Sequence, residues 1–115
     1  MAKITIFVGS GPYTTERPYT ALRFAYTAAI NDHEVKVFLF EDAILMVKRG
    51  QEPANTYNVG EWVGKCLEEG VEVAACGVCM KARGVSEDEL LDGVQKGTME
   101  TALQWTVESD KQLFF

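Results

Sequence analysis

Positive charge is scarce in this chain: eleven Lys and Arg stand against seventeen Asp and Glu, a net charge of −6. With no basic stripe or arginine-rich run to offset that balance, direct nucleic-acid binding is not expected. Long apolar runs are missing too, and none approaches the roughly 20 residues that a membrane span needs. The opening Met1-Ala2-Lys3-Ile4-Thr5-Ile6-Phe7-Val8 is too short and too strand-like for a signal peptide. One histidine and three cysteines, with no second Cys pair at compatible spacing, give no expectation of a zinc site in a monomer. An odd cysteine count without a secretory signal leads us to expect a cytoplasmic protein with free thiols.

What is present fits one compact domain. A chain of 115 residues buries roughly two-thirds of its unfolded surface and folds without disulfides or metal. Apolar content of 47% and charged content of 24% are those of an ordinary globular protein. No internal repeat, linker or low-complexity stretch interrupts it.

Strand-like and helix-period segments alternate from end to end. Ile4 to Val8 is nearly continuously apolar, as befits a strand covered on both faces. Gly9-Ser10-Gly11-Pro12 ends it, and a helix is expected from about Pro18 to Ile30. Asn31-Asp32-His33 makes the return turn before a second strand, Val35 to Phe40. Asp42 is placed to cap a short helix over Ala43 to Val47, and Gly50 to Tyr57, with Pro53 and Asn55, reads as a loop.

Asn58 and Glu61 have the spacing of a reciprocal N-cap. The helix after them carries Val59, Trp62, Val63, Cys66 and Leu67 on one apolar stripe, ended at Gly70. A third strand is expected over Val71 to Cys76. Ser86-Glu87-Asp88-Glu89 forms a capping box for a short helix reaching Leu90 and Leu91, and Val94 to Gly97 reads as a short fourth strand. Met99, Ala102, Leu103 and Thr106 share one face of a last helix, and Gln112 to Phe115 closes the sheet. The alternation predicts an α/β three-layer sandwich: a mainly parallel five-stranded sheet with helices on both faces.

In such sheets ligands gather beyond the carboxyl ends of the strands. Gly9 to Thr15, Glu41-Asp42 and Cys76 to Arg83 belong to that pole. His33, before a strand, belongs to the other, about 17–20 Å away, so a Cys–His nucleophile within one chain is not expected. Cys79 carries the strongest chemical signal. It follows an apolar strand, precedes a helix start, and has Lys81 and Arg83 close behind, so backbone N–H groups and positive charge should favour its thiolate.

Cys76-Gly77-Val78-Cys79 has the Cys-x-x-Cys spacing of dithiol redox proteins, although Cys76 at a strand end is also simply a small core side chain. Cys66, on its apolar stripe, reads as packing. Gly9 to Thr15 starts like a phosphate loop, but Thr14 replaces the third glycine of a dinucleotide fingerprint and no Gly-Lys-Ser/Thr follows. A flavin or nucleotide phosphate on Ser10 to Thr15 stands beside the plainer reading of a tight turn into the first helix. Glu41-Asp42 reads as an acid–base pair, or as a solvated residue beside a cap. Lys48-Arg49 reads as an anion contact or a solvated helix end, and Trp62 and Trp105 read as packing.

Cys79-Met80-Lys81-Ala82-Arg83-Gly84 resembles the cysteine motif of the DsrE/DsrF/TusD-like sulfur-relay family. The likeness extends through Gly11-Pro12-Tyr13, Gly50-Gln51, Pro53, Tyr57-Asn58, Asp92-Gly93-Val94, Gly97-Thr98, Ala102, Gln104-Trp105 and Asp110 to Phe115. It covers essentially the whole chain and is greatest toward the YchN-type homo-oligomeric branch. The resemblance implies a five-stranded three-layer fold and a homo-trimer or homo-hexamer. It further implies a persulfide carried on Cys79, without cofactor or metal, between a sulfur donor and an acceptor protein. Arg83 is placed to stabilise the sulfur anion. Cys76, three residues before the motif cysteine, is a departure that would let a persulfide resolve to a disulfide. The alternatives are a Cys76/Cys79 dithiol redox protein and a ligand-binding oligomeric module.

Overall fold

A computed structural model describes every residue except Asn55, so the loop expected around that residue lies partly outside the described residues. Five strands form one all-parallel sheet: β1 (Lys3–Val8), β2 (Glu34–Leu39), β3 (Glu72–Cys76), β4 (Gln95–Gly97) and β5 (Lys111–Phe114), in the order β4-β3-β2-β1-β5. The helices are α1 (Arg17–Ile30), α2 (Val59–Glu68), α3 (Gly77–Ala82) and α4 (Met99–Glu108), with 3-10 segments at Glu41–Val47 and Glu87–Glu89.

The topology sets the layers. The first two crossovers step from β1 to β2 to β3 in one direction, whereas the last steps back from β4 to β5 across the whole sheet. Right-handed connections therefore put α1 and α2 on one face and α4 on the other. The strand pleat agrees: Ile6, Val8, Val37, Leu39, Val73 and Ala75 point to the two-helix side and are buried there. Thr5 points the other way, and its hydroxyl donates to the Trp105 carbonyl of α4 at 3.2 Å. The three-layer expectation is met.

On the α4 side the register lines Phe114, Phe7, Phe38 and Ala74 in one row across the sheet. Phe7 stacks on Phe114 with ring centroids 4.8 Å apart, and Trp105 meets Phe38 edge-on at 6.2 Å. Gly97, paired with Cys76, lets this layer close, because a Cβ there would come within 2.9 Å of the Phe38 ring.

Local expectations hold for most ends. Asn58 accepts the Glu61 amide, and Gly70, at φ +84, terminates α2 with amide bonds back to Leu67 and, from Val71, to Cys66. Three expectations are corrected. The segment before Lys48 starts at Glu41 and is 3-10, with Phe40 rather than Asp42 at its cap, because the Asp42 carboxylate is drawn to Arg83. The Ser86 box forms, but its helix stops at Glu89, because Leu90 turns extended and pairs with Lys48. The buried face of α4 is Ala102 and Trp105, while Met99 and Leu103 stay exposed: the indole, seated on Phe38, sets the rotation. Among the described residues no helix is long and apolar enough to cross a membrane, and no cluster of metal-ligating side chains occurs.

Candidate functional site

Three carboxyl-end segments converge as the topology requires: the turn after β1, the Phe40-Glu41-Asp42 corner after β2, and α3 after β3. Cys76 closes β3 and occupies the N-cap of α3, and Cys79 lies one turn on. Spacing of three residues puts both side chains on the same side of this short helix. Cys79 is half-buried and Cys76 is buried.

The group that holds Cys79 comes from another strand. The backbone N–H of Glu41 donates to Cys79 Sγ at 3.0 Å. To aim that amide, Glu41 takes a left-handed backbone conformation, φ +52, which for a residue with a side chain stores about 1–3 kcal/mol. Arg83 locks the corner to α3: its Nε donates to Asp42 at 2.7 Å and its Nη1 to the Cys79 carbonyl at 3.2 Å. The hydrogen bond to Asp42, ahead of the opposing effect of desolvation, raises the Arg83 pKa and keeps the guanidinium charged. Glu41 and Asp42 thus serve as a backbone clamp and a charge partner, neither of which their sequence advertised.

The thiolate expectation is corrected. Burial raises the Cys79 pKa above that of an ordinary thiol, and the neighbouring Cys76 thiol raises it further. The Glu41 amide and the Arg83 charge pull it back down without winning. Lys81, invoked from sequence, is exposed and is not among the groups acting on this thiol.

Of the other candidates, Cys66 is sealed between α2 and α1, its thiol donating to the Leu22 carbonyl at 3.4 Å. Burial pushes its pKa up to about 12, as a packing cysteine should show. His33 sits at the opposite pole, where its Nδ1 accepts the Ala2 amide at 2.9 Å, so it is a turn residue with a structural bond. In the turn after β1 the Ser10 hydroxyl donates to the Phe115 carbonyl and the Thr15 hydroxyl accepts the Arg17 amide. Lys48 and Arg49 pair with Glu89 and Asp92. Trp105 is buried, and Trp62 is half-buried between the edges of Tyr19 and Tyr26.

One feature went unread in the sequence. Helix α4 covers the lower part of its sheet face and leaves the upper part open as an apolar groove of about 600 Å³. Phe7, Phe38, Phe40 and Leu103 line it, and both Cys76 and Cys79 stand in its wall. The alternate-position phenylalanines of β1, β2 and β5 were the available signal, but a strand apolar on both faces looks the same whether or not a helix covers it. A second cavity, about 30 Å³ beside Thr5, Lys36 and Trp105, has room for a water and no chemistry.

The fold and this corner define a small parallel α/β domain that presents one accessible thiol at the carboxyl pole of its sheet. The sequence profile of the DsrE/DsrF-like family matches residues 2–115, and the chain belongs to that family. The protein MK0008 of Methanopyrus kandleri is 47% identical over 97% of this chain and 93% of its own length. The protein YchN of Escherichia coli K12 is 35% identical over the whole of both chains. The crystal structure of the E. coli YchN protein superposes with a TM-score of 0.95 at 34% identity, again covering both chains completely.

Proposed function

We propose that this protein is a sulfur relay which carries sulfane sulfur as a persulfide on Cys79 and delivers it to the thiol of a partner protein. The observation that carries the reading is the seat of Cys79. It is half-exposed at the functional pole, with its sulfur on the Glu41 amide and its helix tied through Arg83 to Asp42. An amide donor and a fixed cation are what an anionic terminal sulfur needs, and the role of Arg83 is to favour that anion. Membership of the DsrE/DsrF-like family supports it.

The chemistry is two exchanges. The Cys79 thiolate attacks the terminal sulfur of a donor persulfide, the donor S–S bond breaks, and the donor leaves as a thiolate. An acceptor thiolate then attacks the outer sulfur on Cys79, and Cys79 leaves as a thiolate. Neither step takes up or releases electrons overall, and neither calls for a cofactor or metal. The donor and acceptor are proteins of the cytoplasm.

We read the working form as a homo-oligomer, a trimer or hexamer. Met99, Leu103 and Val107 form an outward stripe on α4, 74%, 64% and 75% exposed, and Phe114 beside them is 71% exposed. That stripe runs into the groove, and a second copy offers the same apolar chemistry to cover it.

Intact-protein mass spectrometry after exposure of the reduced protein to inorganic polysulfide tests the carrier role. The wild type should gain the mass of a sulfur atom and Cys79→Ser should not. Equal loading of the two would sink the assignment.

A further inference from the structure

Cys76 has no part in the relay just described, yet its position is specific. It is 6% exposed, at the junction of β3 and α3, with extended rather than helical backbone dihedrals. It lies three residues before Cys79, on the same side of α3, and both stand in the wall of the apolar groove. Among the described residues, neither the remaining thiol nor the imidazole competes for the neighbouring sulfur: Cys66 is sealed on the two-helix side and His33 lies at the far pole. Burial shields Cys76 from donors and acceptors in solution and leaves Cys79 as its accessible reaction partner.

We infer that Cys76 is a resolving thiol that discharges the Cys79 persulfide as hydrogen sulfide, so that the relay site has a second activity when no acceptor arrives. This rests on the carrier reading of Cys79. In the step, Cys76 sulfur attacks Cys79 Sγ, the bond from Sγ to the outer sulfur breaks, and a Cys76–Cys79 disulfide forms. The outer sulfur leaves as hydrosulfide and takes up the proton that Cys76 gives up. The two thiol sulfurs lose two electrons and the sulfane sulfur gains them, so no outside oxidant enters. A dithiol reductant, through a mixed disulfide at the more exposed Cys79, returns the pair to thiols.

Position divides the outcomes. An acceptor thiol approaches from solvent and meets the outer sulfur, which gives transfer. Cys76 approaches from within the groove wall and meets the inner sulfur, which gives release. The internal route has the advantage of a reactant already in place, so a persulfide without an acceptor has a limited lifetime.

The test loads reduced wild type, Cys76→Ser and Cys76→Ala with one equivalent of inorganic polysulfide, removes the excess, and follows intact mass and free sulfide together. Two replacements guard against one that fails to fold, and circular dichroism checks each. In wild type the sulfur adduct should decay to the disulfide mass while an equal amount of sulfide appears. In both variants the adduct should outlast that of wild type by at least about tenfold, without matching sulfide release. An adduct equally long-lived in all three proteins, with no disulfide, overturns the inference and leaves the carrier reading standing. Failure of the variants to load at all overturns the carrier reading, and the inference with it.

Discussion

The sealed thiol of Cys66 sets an alkaline limit on stability that the structure lets us calculate. In the unfolded chain this group titrates near 9.0, and in the folded protein burial holds its pKa at about 12. The folded state therefore grips the proton more tightly. Nothing changes below about pH 9, and stability falls as pH rises from there toward 12. Each unit is about 1.4 kcal/mol, so the loss is about 2–3 kcal/mol by pH 11, out of a total near 5–15 kcal/mol. Cys66→Ala removes this dependence but leaves a small void and loses the bond to Leu22, at about 1–2 kcal/mol below pH 9. The variant should thus be the weaker protein at pH 7 and the stronger one at pH 11. Dividing the void cost by the slope puts the crossing at about pH 9.7–10.5. Urea midpoints for both proteins at half-unit intervals, in a thiol-preserving reductant, would show it; other alkaline titrations largely cancel in the difference. A constant gap between the two curves from pH 7 to 11 would refute the reasoning.

Two further tests address the site and the surface. Arg83→Gln removes a charge that lowers the Cys79 pKa, so the pH profile of Cys79 alkylation by iodoacetamide should move upward. Its solvent-screened ion pair with Asp42 adds little to stability, so the urea midpoint should hardly move; a profile that stays put or moves down would deny Arg83 its role. Leu103→Lys, at a position already 64% exposed, should leave the monomer's stability within about 0.5 kcal/mol. It should nevertheless drive the light-scattering mass toward the 12.8 kDa of one chain, and a wild type already at that mass would remove the oligomer from the proposal.

The layers and the position of the thiol pole were legible because they follow from periodicity and handedness. Apolar runs separated by helix-length segments leave few arrangements other than a parallel sheet, and the carboxyl-end rule then gathers Gly9, Glu41 and Cys79 without any contact being known. What escaped was decided by tertiary partners. Asp42 has the composition of a cap, but a guanidinium 41 residues away claimed its carboxylate. Leu103 has the spacing of a core residue on α4, but Trp105 took the sheet and turned it outward. The Glu41 clamp was invisible for a more basic reason: a backbone amide carries no signature in the sequence, and its aim depends on a left-handed turn that a glutamate does not announce.

A raised pKa at Cys79 at first sight weakens the proposed relay, which depends on its thiolate, and the magnitudes decide otherwise. Each unit of increase above ambient pH lowers the thiolate fraction about tenfold, but intrinsic nucleophilicity rises about threefold with the same basicity, so the net loss is only about three- to fourfold. The causes of the shift also change with loading. Burial and the neighbouring Cys76 thiol act on Sγ itself, at the wall of the groove. In the proposed relay a sulfur added to Sγ would carry the charge one atom away from the group on which those effects act, while Arg83 is tied to Asp42 and the carbonyl of Cys79. On the proposed reading, the effects that hold the unloaded Cys79 as a thiol would cost the persulfide anion less. A carrier that favours the loaded anion over the empty one would favour loading, and with an internal thiol one helical turn away it would require an acceptor, or a route of release, to be emptied.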